Sequence, residues 1–383
     1  MRTMNVVVVA LATWGGAATV VNSQITAPAV PVDWREAEKA TLANPVQLTR
    51  PDRFLKAGEA YFSPDDRRII FQAIEVPPQG QDPDDFYGMY VADLVYRGGR
   101  IIRLDNVTRI SPPGSFNTCG WFIATNPNLV IFASTITVPT TESPGYQRKG
   151  RNYRWQFPVE MNIYRCDLSL AGPDSLVPLL VNPKAYLAEC SVTSDGRHLL
   201  YTSLESGAGD LFIRDLQTGT TTAVVTSEGY DGGPFFSPDG KRICYRSDRR
   251  GDDLLQIFVG DLAFNESGAV VGLKREYQLT NNGHVNFAPY WHPGGRYLVY
   301  ITSEQGHHNY EIYLLDADPG NLPGSTGTVR YGTAKRRVTY APDFDGFPAF
   351  NSDGSKMLFT SKRDGSGSSQ VWVADFVMDL DAP

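Results

Sequence analysis

The sequence predicts an all-β fold, a six-bladed antiparallel β-propeller closed by an N-terminal strand. Three observations predict it. A unit of strand, tight turn, strand, loop and strand recurs, most clearly at 230–262, where two aromatics lead into Ser237-Pro238-Asp239-Gly240. Pro at the second position and Gly at the fourth suit a type I turn, and the period-two runs around them suit half-buried strands. The unit recurs six times: its turn position is held by Asp65, Asn126, Asp195, Asp239, Gly294 and Asp353, and its closing acid by Asp93, Asp167, Asp215, Asp261, Asp316 and Asp375. Turn and acid are separated by roughly 28, 41, 20, 22, 22 and 22 residues, a regular array with two insertions. Finally, only seven residues follow the last such strand, so its missing neighbour is expected from Val46–Thr49 near the start, which leaves no open edge between first and last blade.

The 383 residues carry 35 basic and 42 acidic side chains, a net charge of −7, which argues against sequence-independent binding of nucleic acid or anionic lipid. Residues 1–23 read as an export signal: Arg2, then an apolar run from Val6 to Ala12, then small residues. The apolar run is short for a membrane span, so no stable membrane insertion is expected after cleavage. Residues 24–45 read as a linker and a short helix from Trp34 to about Leu42, and 46–383 as the propeller. Cys119, Cys166, Cys190 and Cys244 lack paired zinc-ligand spacing. They read as buried hydrophobes, with Cys119 and Cys190 close enough in adjacent blades to meet.

Blade one takes its first two strands at Phe62 and Ile69–Phe71; blade two, the most degenerate, at Trp121–Ile123 and Leu129–Phe132. Blade three carries Thr193-Ser194-Asp195-Gly196, blade five Tyr290-Trp291-His292-Pro293-Gly294-Gly295, and blade six Ala349-Phe350-Asn351-Ser352-Asp353-Gly354. The phrases at 235–262 and 349–376 resemble the TolB-type, WD-like β-propeller repeat: aromatic, Ser-Pro-Asp-Gly, apolar strand, Ser-x-Arg-x-Gly, then a strand ending on Asp. The resemblance covers about Val46 to Phe376. It departs in one respect: that family places a sizeable α/β domain before the propeller, and only some twenty residues are expected here between signal and propeller.

Counting eight residues back from each turn gives Ala57, Thr118, Leu187, Asp231, Asn286 and Asp345; counting six gives Glu59, Gly120, Glu189, Gly233, Ala288 and Phe347. Inner strands line a propeller's channel, so Glu59, Glu189, Asp231, Asn286 and Asp345 are expected near its mouth. Such oxygens suit calcium or another divalent cation, or a basic group of a partner; alternatively they cap backbone N–H groups of the next blade. His284, His307 and His308 fall in loops of the same face and are candidate transition-metal ligands, although adjacent histidines in a polar loop are commonly just solvated.

The two insertions lie on that face. Blade one's, residues 75–88, holds Asp82, Asp84 and Asp85. Blade two's holds Tyr146, Arg148, Lys149, Arg151, Tyr153, Arg154 and Trp155, the residue types that dominate binding hot spots. The blander account is an acidic loop neutralising a basic one. No nucleophile elbow, P-loop, dinucleotide fingerprint or HExxH motif occurs. The expected function is an exported, periplasmic or secreted monomer of the bacterial envelope. It would act as a non-enzymatic scaffold for a protein, peptide or glycan, with no cofactor required. The alternative is a polysaccharide lyase or hydrolase at the channel mouth.

Overall fold

A computed structural model describes residues 33–140, 145–149, 152–170, 175–318 and 333–380. The expected signal and most of the linker lie outside them. Six four-stranded antiparallel sheets are present. Blade one is Phe54–Phe62, Arg68–Glu75, Gly88–Arg97 and Arg100–Arg109; blade two is Asn117–Phe122, Leu129–Ser134, Asn162–Asp167 and Leu176–Leu180. Blade three is Leu187–Val192, His198–Ser203, Asp210–Asp215 and Thr221–Val225; blade four is Asp231–Phe236, Arg242–Ser247, Gln256–Phe264 and Val270–Gln278. Blade five is Asn286–Trp291, Tyr297–Thr302, Glu311–Asp316 and Thr333–Arg337. Blade six is Asp345–Phe350, Lys356–Ser361 and Gln370–Phe376, completed by Leu42–Gln47.

That completing strand pairs Val46 with Val373 and Gln47 with Trp372, and the N–H of Leu48 donates to Val371 at 2.8 Å. The ring therefore closes as the sequence implies. The helix is shorter than expected: it spans Trp34–Glu38, and the strand already begins at Leu42. The reason is local. The Glu38 carboxylate turns inward to accept from the Tyr340 N–H at 2.8 Å, and the Thr41 hydroxyl donates to Val338 at 2.6 Å, so the chain must bend onto the propeller there.

The repeated turn is built as its residues dictate. In blade four Ser237 Oγ donates to Asp239 Oδ1 (2.6 Å) and accepts from the Arg242 N–H (2.9 Å), while Gly240 sits at φ 68°. Blade two differs. Its turn is closed by the Ile123 N–H on Leu129, spanning one residue more than Ser237 on Arg242. Counting back from Asn126 is thus one residue out of step, and the equivalents of Asp231 and Gly233 are Asn117 and Cys119 rather than Thr118 and Gly120.

Candidate functional site

Every inner strand breaks register at the same point, and the residue there adopts a left-handed backbone: Glu59 (φ 47°), Cys119 (56°), Glu189 (54°), Gly233 (57°), Ala288 (49°) and Phe347 (49°). Only glycine adopts this region without cost, so five strained residues at one register mark a built feature. All six line one small axial cavity of about 30 Å³, the space of a single water. Two residues further along each strand the axis is plugged. Tyr61, Trp121, Phe235 and Tyr290 meet there, with neighbouring ring centroids 5.2 to 6.0 Å apart.

On the side of the second-to-third-strand loops, the cavity gives way to a cleft of about 640 Å³. Its wall is aromatic: Phe287 meets Tyr310 at 5.7 Å and Phe347 at 5.9 Å, and Phe344 meets Phe347 at 6.0 Å. Glu59 lines both spaces, and His307, His308 and Lys362 also line the cleft. The repeated turns gather on the opposite side, around a smaller hollow of about 230 Å³.

The predicted channel-mouth residues divide into two groups. Asp231, Asn286 and Asp345 are fully buried and serve the frame. Asp231 pairs with Arg249 at 3.3 Å and Asp345 with Arg363 at 3.0 Å. Asn286 donates to Asn282 Oδ1 (2.8 Å) and the His284 carbonyl (3.1 Å). Strand register explains the pairs. Asp231 lies opposite Ser247 and Asp345 opposite Ser361, so the arginine two residues on, in Ser-x-Arg, folds back over the acid. Burial holds Asp231 above the usual carboxylate range and brings Asp345 to about 6.

Glu189 and Glu59 lie on the axis. Glu189 forms an ion pair with Arg246 and accepts from the Tyr230 hydroxyl (2.8 Å), the Thr202 hydroxyl (2.9 Å) and the Gly233 N–H (2.7 Å). The sequence reading missed Arg246 and Tyr230, whose part depends on a contact between blades three and four. Glu59 has only neutral partners: the Tyr61 hydroxyl at 3.4 Å and the Cys119 thiol. Burial pushes its pKa from 4.5 up to about 7; the Cys119 thiol and the Arg246 charge oppose the rise and the Glu189 charge adds to it.

His307 Nδ1 lies 3.3 Å from the Tyr310 hydroxyl, and His308 is exposed beside it. His284 is not part of the cleft wall; its carbonyl accepts from Gln256 and Asn286. Among the described residues, no three His, Cys, Asp or Glu side chains are placed to share a metal ion. The four cysteines are free thiols; Cys190 Sγ lies 3.7 Å from the Cys119 carbonyl.

Blade two's insertion forms a separate hairpin, Gly145–Lys149 paired with Asn152–Gln156. Arg151 and the side chains of Tyr146, Arg148, Lys149, Tyr153, Arg154 and Trp155 lie outside the described residues. Blade one's acidic insertion is pinned by its own blade and by the entry to blade two: Asp84 pairs with Arg109 at 2.6 Å, and Phe86 stacks on Phe116 at 5.0 Å.

Residues 177–323 match the family model described as the TolB beta propeller domain. The chain is 27% identical over 227 residues to the Tol-Pal system protein TolB of Francisella tularensis subsp. holarctica, covering 49% of this chain and 51% of that protein. It is 30% identical over 180 residues to a protein TolB homolog of Chlorobium luteolum, covering 47% and 34%. The chain thus spans about half the length, or less, of these curated relatives. The crystal structure of TolB from Acinetobacter baumannii superposes with a TM-score of 0.51 at 17% identity, over 81% of this chain and 64% of that one, a likeness of fold. With six closed blades, the repeated turn and this family match, the fold is a TolB-like propeller.

Proposed function

We propose that this chain is a non-enzymatic binding scaffold that receives a protein or peptide partner on the face bearing the cleft. One observation carries the reading. Most ionisable groups around the axis are spent on holding the blades, while an aromatic-walled cleft lies open above a plugged axis. Aromatic walls suit partner side chains, since large rings supply contact area at low entropic cost. The relatives named for the Tol-Pal system support a protein partner over a glycan, and a place for this chain in such a system belongs to the proposal. So do an exported, periplasmic location and a monomeric state. Among the described residues, no helix is long and apolar enough to cross a membrane.

The hairpin at 145–156 is the second contact in this reading, because it stands outside the six sheets and carries Arg148, Lys149 and Arg154 in its strands. Reversing those three charges is expected to abolish recovery of a partner captured by the wild-type chain while leaving the melting temperature unchanged. Recovery that survives the reversal removes the hairpin from the contact.

One observation favours the second reading, a lyase or hydrolase: Glu59 is a carboxyl group poised near neutrality beside an open cleft. Against it, Glu189, the nearest second carboxylate, is held by an arginine and three neutral donors and has no free role as a base. Metal analysis and a polysaccharide panel separate the readings. A stoichiometric transition metal together with turnover supports the enzyme.

A further inference from the structure

Most of the carboxylates drawn into the propeller have an arginine. Glu189 has Arg246, Asp231 has Arg249, Glu311 has Arg337, and Asp345 shares Arg363 with Glu38. Glu59, by contrast, makes no ion pair among the described residues, and its two neutral hydrogen-bond partners leave carboxylate lone pairs unused. It is also the acid that lies where the axial cavity meets the cleft. The cleft wall presents ring faces and edges of Phe287, Tyr310, Phe344 and Phe347, the surroundings that hold a cation carried on an apolar stem.

We infer that the cleft receives one lysine or arginine side chain of a peptide partner, its stem against the phenylalanine wall and its charged head on Glu59. This rests on the binding-scaffold reading and names what the partner must present. A carboxylate without an ion pair in a poorly solvated site gains from an incoming cation, because the nearby Arg246 is already engaged by Glu189. A carboxylate-bearing side chain would instead face Glu59 and, behind it, Glu189 of blade three.

The groups facing Glu59 are Glu189, Arg246, Tyr61, Cys119 and Tyr87, and His307, His308, Lys362 and Asp343 line the same cleft. With Glu59 giving up its proton near pH 7, affinity for a cation is expected to rise as pH increases through that value. Glu59→Gln isolates the carboxyl's part in this, because it keeps the shape of the side chain and removes only its charge.

The test uses the full chain and capped pentapeptides with one central residue, lysine, arginine, norleucine or glutamate, flanked by glycines. Titration calorimetry or NMR at pH 8 is expected to show the lysine and arginine peptides binding about tenfold more tightly than norleucine. That preference should shrink below neutrality and vanish in Glu59→Gln with the melting temperature retained. Equal affinity for lysine and norleucine, no binding of either into the millimolar range, or a preference that persists in Glu59→Gln overturns the inference. If it fails while hairpin charge reversal still abolishes partner recovery, the scaffold reading stands and only the cation subsite is lost; if both fail, the scaffold reading falls too.

Discussion

The guanidinium of Arg363 joins the Glu38 carboxylate at 2.9 Å, tying the N-terminal helix to the last blade. The same group reaches Asp345 at 3.0 Å and lies 5.0 Å from the centroid of Trp34. The N-terminal segment is therefore fixed twice, by its strand in blade six and by a buried ion pair just before that strand.

Glu38→Ala is expected to lower stability by about 3 kcal/mol, the low end for breaking a buried pair, because Asp345 still faces the arginine. Glu36→Ala two residues earlier removes an exposed pair with Lys39 and is expected to cost under about 0.5 kcal/mol. Urea unfolding of the two variants checks the contrast.

Folded, Glu59 keeps its proton up to about pH 7; unfolded, it gives it up near 4.5. Between those values the folded form binds more protons, so this group's stabilising contribution is complete below 4.5 and is lost as pH rises through about 7. Glu59→Gln cannot titrate. Its stability relative to wild type is expected to improve from about pH 5 to about pH 8 in a denaturant series. A constant difference would show that Glu59 is ionised throughout.

Gly240→Ala is expected to cost about 1 kcal/mol, because the turn holds this residue at φ 68° while the nearest atom to a new Cβ, on Thr193, is at an ordinary 3.6 Å. Gly283 has a negative φ and open space around it, so Gly283→Ala is expected to be neutral or to stabilise by about 0.5 kcal/mol. Thermal unfolding of the pair isolates the backbone term.

Blade number, the closing strand and the two faces were legible because each rests on a local signal: a turn tetrad, a period-two run, a closing Asp. Helix length was not, because Glu38 and Thr41 are drawn inward by residues some three hundred positions away. Blade two slipped by one residue for a local reason of another kind, since Asn126-Pro127 gives no sign that its turn is longer. The site was half legible. The spacing found Glu59 and Glu189, but the burial of Asp231 and Asp345 under Arg249 and Arg363 depends on the register between paired strands. His307 and His308 line the cleft, whereas His284 contributes its carbonyl to Gln256.

Hydrogen exchange of the full chain, with and without its captured partner, tests the central claim most directly. The account predicts protection at residues 305–310 and 342–348 and in the hairpin strands at 145–149 and 152–156. The turns at 237–240 and 351–354 on the opposite face should exchange unchanged. Protection confined to those turns, with the cleft unaffected, would contradict it.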